Sequence, residues 1–224
     1  MTNALLLRRR GMMPQGLPDG RLAWIETDGD GYFDTGVLGD SPRSVEMKIL
    51  AVEGANAQQF IGASISSCNC ILVNQYATNT LGLSNKTANN GGHYGGIDIS
   101  NSVANATPVE LRTSIGNNNT NGVKIQVKQE GDSYYQSLQY GQNFDTTTNL
   151  SLFLFATNGN GSANRKCEKG ARIYYCNIYN SIDWSNRIKQ YQPWRLNGVV
   201  GLMDIVSNTF IAPIGGTMVG GPNI

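Results

Sequence analysis

Charge and histidine are scarce in this chain of 224 residues, and each shortage removes a class of function. Only 15% of residues are charged and the formal net charge is +1. There is then no global electrostatic basis for binding nucleic acid or a membrane surface, and neither is expected as a partner. The one histidine, His93, sits in a Gly/Asn-rich stretch with no G-x-S-x-G elbow nearby. Serine- or cysteine-based catalysis through an imidazole is therefore not expected. A zinc site would need better-paired ligands than His93 and the single pair Cys68 and Cys70. No Gly-rich loop runs into a helix, so there is no phosphate cradle. No apolar run approaches the ~18 residues of a membrane-spanning helix. No signal peptide is expected either, because Ala4-Leu5-Leu6-Leu7 precedes Arg8-Arg9-Arg10, the reverse of the usual order. Neither a catalytic residue, a metal nor a cofactor is expected.

Cysteine is sparse as well. Cys68 and Cys70 would share one face of a strand, a poor setting for a mutual disulfide. Cys176, within Tyr174-Tyr175-Cys176-Asn177-Ile178, reads as a small buried thiol. All four cysteines are expected to be reduced and structural, with a Cys68–Cys167 or Cys70–Cys176 bridge left open.

What the chain does have is period-two alternation, with 27 glycines and 40% hydrophobic residues. Val45, Met47 and Ile49 alternate with Glu46 and Lys48. Val109, Leu111 and Ile115 alternate with Glu110, Arg112 and Ser114. Val123, Ile125 and Val127 alternate with Lys124, Gln126 and Lys128. Each pattern predicts a strand with one face in the core and one in water. Asn117 to Gly122 reads as the hairpin turn between the last two. Residues 150–155, apolar on both faces, predict a central strand. Further strands are expected at Ala171 to Tyr179, at Gly198 to Leu202 and at Phe210 to Ala212. Polar loops are expected at 84–107, 140–148 and 157–168. The only helix candidate is Ser181 to Gln192, ended by Pro193. Many short strands and no long helix predict an all-β, two-sheet antiparallel jelly-roll sandwich over residues 21–224, behind an N-terminal extended arm, 1–20.

The arm combines Leu5, Leu6 and Leu7 with Arg8, Arg9 and Arg10, then Met12-Met13-Pro14. It reads either as a disordered terminus or as an anchor, with leucines buried in another subunit and arginines paired with acidic groups. Asp28, Asp30 and Asp34 offer oxygens at short spacing but miss the calcium-loop pattern, since Tyr32 holds the fifth position. They are expected to shape a strand-turn-strand corner, with Asp34 accepting backbone hydrogen bonds. Candidate glycan-contacting rims combine aromatic rings with amides. One is Asn89, Asn90, His93 and Tyr94; a second is Tyr134, Tyr135 and Tyr140; Trp184 is a third.

Trp24-Ile25-Glu26-Thr27-Asp28-Gly29 followed by Tyr32-Phe33-Asp34-Thr35-Gly36-Val37 resembles the opening of concanavalin-A-like (laminin-G-like) jelly-roll domains. Arg172 to Tyr179 resembles a strand of the same group. Gly198 to Asp204, with Asn208, Phe210 and Gly215-Gly216-Thr217, resembles its close. The likeness covers residues 22–222. Cys176 and Trp194 depart from it, and residues 64–107 have no counterpart. Such domains include glucanases, which carry an E-x-D-x-x-E run of carboxylates; this chain has none. They also occur in gut bacteriophage structural proteins and bacterial surface proteins. The resemblance implies a non-enzymatic virion protein, a head fibre or similar appendage, anchored by Leu5 to Arg10 on other virion proteins. It would form a dimer or trimer and display a sandwich that contacts host glycans. A capsid-cementing protein without a ligand and a bacterial carbohydrate-binding module are the alternatives.

Overall fold

The computed structural model describes residues 19–224 apart from 41, 54–56, 66–67, 77–78, 87–90, 117–121, 134 and 141–147. The expected anchor, Leu5 to Arg10, therefore lies outside the described residues, as do Asn89, Asn90 and Tyr134. Among the described residues nineteen strands, numbered in chain order, and one six-residue helix form a two-layer sandwich.

The larger sheet runs β11 (Gln136–Tyr140), β10 (Val123–Lys128), β9 (Val109–Ile115), β4 (Arg43–Leu50), β15 (Arg172–Tyr179), β16 (Arg187–Leu196), β17 (Val199–Asp204), β18 (Thr209–Ile211). Of the short strands, β1 (Gly20–Arg21) attaches to β16 and β2 (Ile25–Thr27) to β15, and β19 (Met218–Gly220) pairs with β2. The smaller sheet runs β14 (Ser162–Asn164), β13 (Thr157–Gly159), β5 (Gln58–Ile65), β6 (Cys68–Tyr76), β7 (Thr80–Lys86), β8 (Gly91–Asp98). Strand β12 (Ser151–Leu154) joins β5 to β3 (Phe33–Leu38). The named pairings are antiparallel except β13 with β5, and the architecture is the expected jelly-roll sandwich.

Alternation explains the larger sheet. Val45, Met47 and Ile49 on β4, Leu111 on β9, Ile125 on β10, and Cys176 and Ile178 on β15 all turn inward and are almost fully buried. They meet Phe60, Leu72, Leu152, Leu154 and Phe155 in one continuous core. Each such side chain contributes roughly 1.5–3 kcal/mol of hydrophobic stabilisation. The run at 150–155 is indeed internal, as β12 between two neighbours. A polar corner locks the two ends of the chain. The Asp28 carboxylate accepts hydrogen bonds from Asp30 N–H (2.9 Å), Gly31 N–H (2.8 Å), Thr217 N–H (2.7 Å) and the Thr217 hydroxyl (2.9 Å). Asp34 accepts Gly36 N–H at 2.9 Å. Gly216 must be glycine there, because a Cβ would lie 2.4 Å from Gly31 N.

Three expectations need correction. Residues 84–107 are not one polar loop: they hold the end of β7, all of β8 and helix α1 (Ser100–Asn105). Glycine hid these strands, and in one case it is what permits the pairing, since a Cβ on Gly96 would meet Thr80 Cγ2 at 2.0 Å. Residues 157–168 likewise contain the hairpin β13–β14. Ser181 to Gln192 is not helical; it is a loop running into β16, and Pro193 lies inside that strand opposite Leu202. The Pro193 carbonyl still accepts Leu22 N–H at 2.9 Å, so the missing donor does not break the sheet. Cys167 and Cys176 are free buried thiols, which rules out both bridges left open above.

Candidate binding face

Register fixes what the outer face of the larger sheet carries. Across β10, β9, β4 and β15 the central row reads Gln126, Arg112, Glu46, Asn177. On one side lies the row Lys128, Glu110, Lys48, Tyr175; on the other lies Lys124, Ser114, Ser44, Tyr179. A bulge between Ile173 and Tyr175 adds a further tyrosine, Tyr174, whose ring lies 5.8 Å from Lys48 Nζ.

Glu46 is the hub. Its Oε1 accepts Arg112 Nε (2.9 Å) and Nη2 (2.6 Å), while Oε2 accepts Asn177 Nδ2 (3.2 Å) and the Tyr179 hydroxyl (3.0 Å). Burial pushes this carboxyl up, but the donors from Arg112, Asn177 and Tyr179 outweigh it and hold it below the usual range. Burial and the neighbouring carboxylates raise the Tyr175, Tyr135 and Tyr179 phenols, so all three stay protonated donors. The Arg112 guanidinium lies between two rings, 5.2 Å from Tyr135 and 5.9 Å from Trp184. Lys124 Nζ is 5.4 Å from the Trp184 ring. A guanidinium held by a carboxylate and flanked by aromatic faces loses little further entropy on binding.

Trp184 reaches this face because the loop after β15 folds back across the sheet. Ser44 Oγ donates to Ser181 O at 2.6 Å, and Trp184, with φ at +59°, donates Nε1–H to Val45 O at 3.3 Å. Gly116 makes room: a Cβ there would stand 2.3 Å from Ile182 Cγ2. Two clefts flank the central row. One, of ≈ 190 Å³, is lined by Ser114, Lys124, Gln139, Ile182, Asp183 and Trp184. The other, of ≈ 310 Å³, includes Lys48, Glu110, Lys128, Glu130 and Asp132. Two buried polar atoms on this face, Ser114 Oγ and Asn177 Oδ1, have no hydrogen-bond partner. Unmade bonds of this kind cost free energy.

Of the residues singled out from sequence, Tyr135 and Trp184 come together here across Arg112. His93 and Tyr94 instead sit on β8 of the smaller sheet, their backbones opposite Ser84 and Leu83. Sequence reasoning missed Glu46, Arg112, Asn177 and Tyr179 as a group. Their alternation was visible, but not that β4 lies between β9 and β15. Among the described residues no group of three or more His, Cys, Asp or Glu could hold a metal ion, and no helix is long and apolar enough to cross a membrane.

The exposed polar-aromatic face thus lies on a two-sheet antiparallel jelly-roll sandwich. No family model matches the chain, and no curated protein matches it. Solved structures do. A heptameric SAP-like pentraxin from Limulus polyphemus has a TM-score of 0.51 at 12% identity, over 92% of this chain and 98% of that one. The CBM40 of a Ruminococcus gnavus IT-sialidase, solved with alpha2,3 sialyllactose, has a TM-score of 0.49 at 10% identity, over 73% of this chain and 94% of that one. Scytalido-glutamic peptidase reaches only 0.37 at 9% identity, over 92% and 100%. The pentraxin supports the fold; the other two overlap too loosely to carry an argument.

Proposed function

We propose that this chain is a non-enzymatic recognition domain that binds saccharide on the outer face of its larger sheet and is displayed on a bacteriophage particle. The observation that carries the binding reading is the rigid Tyr135–Arg112–Trp184 arrangement seated on Glu46. Aromatic faces take the apolar face of a sugar ring, while fixed charged groups and phenols take its hydroxyls. Glu46 supports a binding role over hydrolysis: four donors saturate it and hold it ionised, so it has no proton to give a leaving group. In this reading His93 and Tyr94 on β8, together with Asn89, Asn90 and Tyr134, are additional glycan contacts.

The display half of the reading rests on sequence. Leu5, Leu6 and Leu7 would bury in another virion protein, and Arg8, Arg9 and Arg10 would pair with its acidic groups. Residues 1–20 are the arm and 21–224 the displayed domain, which assembles as a dimer or trimer. Many copies on one particle convert weak single contacts into durable adhesion.

Two experiments test the halves separately. A glycan array probed with the full chain should show binding that Trp184→Ala and Arg112→Ala both abolish; a blank array, or binding indifferent to both changes, overturns the recognition half. Deleting residues 1–20 should abolish incorporation into particles, and normal incorporation of the truncated chain overturns arm-mediated display.

A further inference from the structure

We infer that the binding face takes an extended, uncharged stretch of polysaccharide and not a terminal or acidic sugar. The inference rests on the saccharide reading above and narrows its ligand class.

Length is the first argument. The clefts lie on opposite sides of the central row: Glu110 and Lys128 line one, Ser114 and Lys124 the other. Four residues of strand separate them on both β9 and β10, a span of ~14 Å. Between the clefts lies a continuous floor of Gln126, Arg112 and Glu46, with Tyr135 and Trp184 on either side of the guanidinium. A single sugar ring would fill one cleft and leave the floor and the other cleft to water. A chain lying along the strands reaches all three places.

Charge is the second argument. Each of the four cations that β4, β9 and β10 place on this face has a carboxylate in its own row or cleft. Arg112 pairs with Glu46 at 2.6 Å and Lys48 with Glu110 at 3.7 Å. Lys124 shares its cleft with Asp183, and Lys128 shares the other with Glu130 and Asp132. A polyanion would meet these carboxylates as often as the cations, so the face has no field to attract it. Hydroxyls suit alternating fixed charges, since each can both donate and accept.

The test is titration calorimetry of the full chain with cellohexaose, laminarihexaose, xylohexaose and mannohexaose, against hexagalacturonate and 3′-sialyllactose, at low and high salt. At least one neutral hexamer should bind, with affinity unchanged by salt and weaker by about tenfold or more when cut to the disaccharide. Lys124→Gln and Glu110→Gln, at opposite ends of the track, should each weaken that hexamer. Tighter binding of either acidic probe, a disaccharide as tight as its hexamer, or no binding of any neutral hexamer overturns the inference. In those cases a Trp184-dependent array signal would still uphold saccharide recognition, whereas a blank array removes both.

Discussion

On β4 of the larger sheet buried Val45, Met47 and Ile49 alternate with the half-exposed Glu46 and Lys48, whereas on β5 of the smaller sheet Gln58 to Ala63 are buried without a break. Strand β5 is buried on both faces, so its polar side chains and those of its neighbours work internally. Gln58 and Gln75 both donate to Val52 O, and Gln58 also accepts Glu168 N–H. Asn74, fully buried, has no partner on either amide atom. The larger sheet keeps one face in water and concentrates its rings and ion pairs there. A free face can address a ligand, and the cost of the covered strand is a few buried amides.

The division predicts which substitutions harm the fold and which harm binding. Truncating the smaller sheet should do the greatest damage. Phe60 is fully buried, so Phe60→Ala should cost about 3–5 kcal/mol, as Phe-to-Ala changes in packed cores do. Urea denaturation would measure the loss, and saccharide affinity of the remaining folded protein should be unchanged. An equal loss of affinity would mean the two sheets are not separable in this way.

On the larger sheet the heaviest single loss should come from Glu46→Ala, which strands Arg112, Asn177 and Tyr179 together. Hydrogen bonds to charged groups are worth ~1.5–3 kcal/mol. The Arg112 side chain is 38% exposed, so screening should bring the total to the low end, about 1–2 kcal/mol. Binding should be lost entirely, because Arg112 would no longer be held between its two rings. Retained binding would exclude this face as the site.

Much of this division could be read from the residues, and the unread part has a physical cause. Strands β4, β9 and β10 were legible because a half-buried strand writes its two faces into alternate positions. Trp184 and Tyr135 could be flagged as aromatic residues in polar surroundings. Glu46 could not be joined to Arg112, 66 positions away, or to Asn177, 131 away. Strand neighbours are chosen by the whole topology, and alternation says nothing of them. Strands β7 and β8 were missed for the opposite reason. Half of β8 is glycine, and its backbone pairing with β7 leaves no period in the side chains, while β7 offers only the short alternation of Leu81 and Leu83.

A pH titration compares the polar corner with the binding face. The Thr217 N–H holds Asp28 well below its ordinary value of 3.8; burial opposes it, and the Asp30 and Gly31 N–H groups and the Thr217 hydroxyl add to the lowering. Glu46 is likewise held below 4.5, its donors overcoming burial. A carboxyl depressed in the folded state stabilises above its unfolded pKa, and that stability drains as pH falls through the folded value. Melting temperature should therefore be level from neutral pH down to about 5 and fall below about 4. Asp28→Asn should flatten the acid limb while leaving saccharide affinity at neutral pH untouched; an unchanged limb would dismiss the corner as an acid-sensitive clasp. Gly116→Ala should act more mildly, at about 1 kcal/mol, since the crowding falls on one Ile182 methyl that can move. Its signature is a shift in Trp184 fluorescence and weaker binding, as the loop lifts from the sheet.

Ser114→Ala should have the smallest effect on folding and the sharpest meaning. Ser114 is 1% exposed and its Oγ has no partner, so the free protein already bears the cost of an unmade hydrogen bond. Removing the oxygen takes that cost away and leaves a methyl group of similar size. Stability should hold or rise by up to ~1 kcal/mol. The Oγ has no surface of its own to offer a ligand in the cleft beside Trp184 and Lys124, so affinity should hold while the protein melts no earlier. A loss of stability would mean that Ser114 is satisfied within the fold, and a loss of affinity that ligand binding uncovers it.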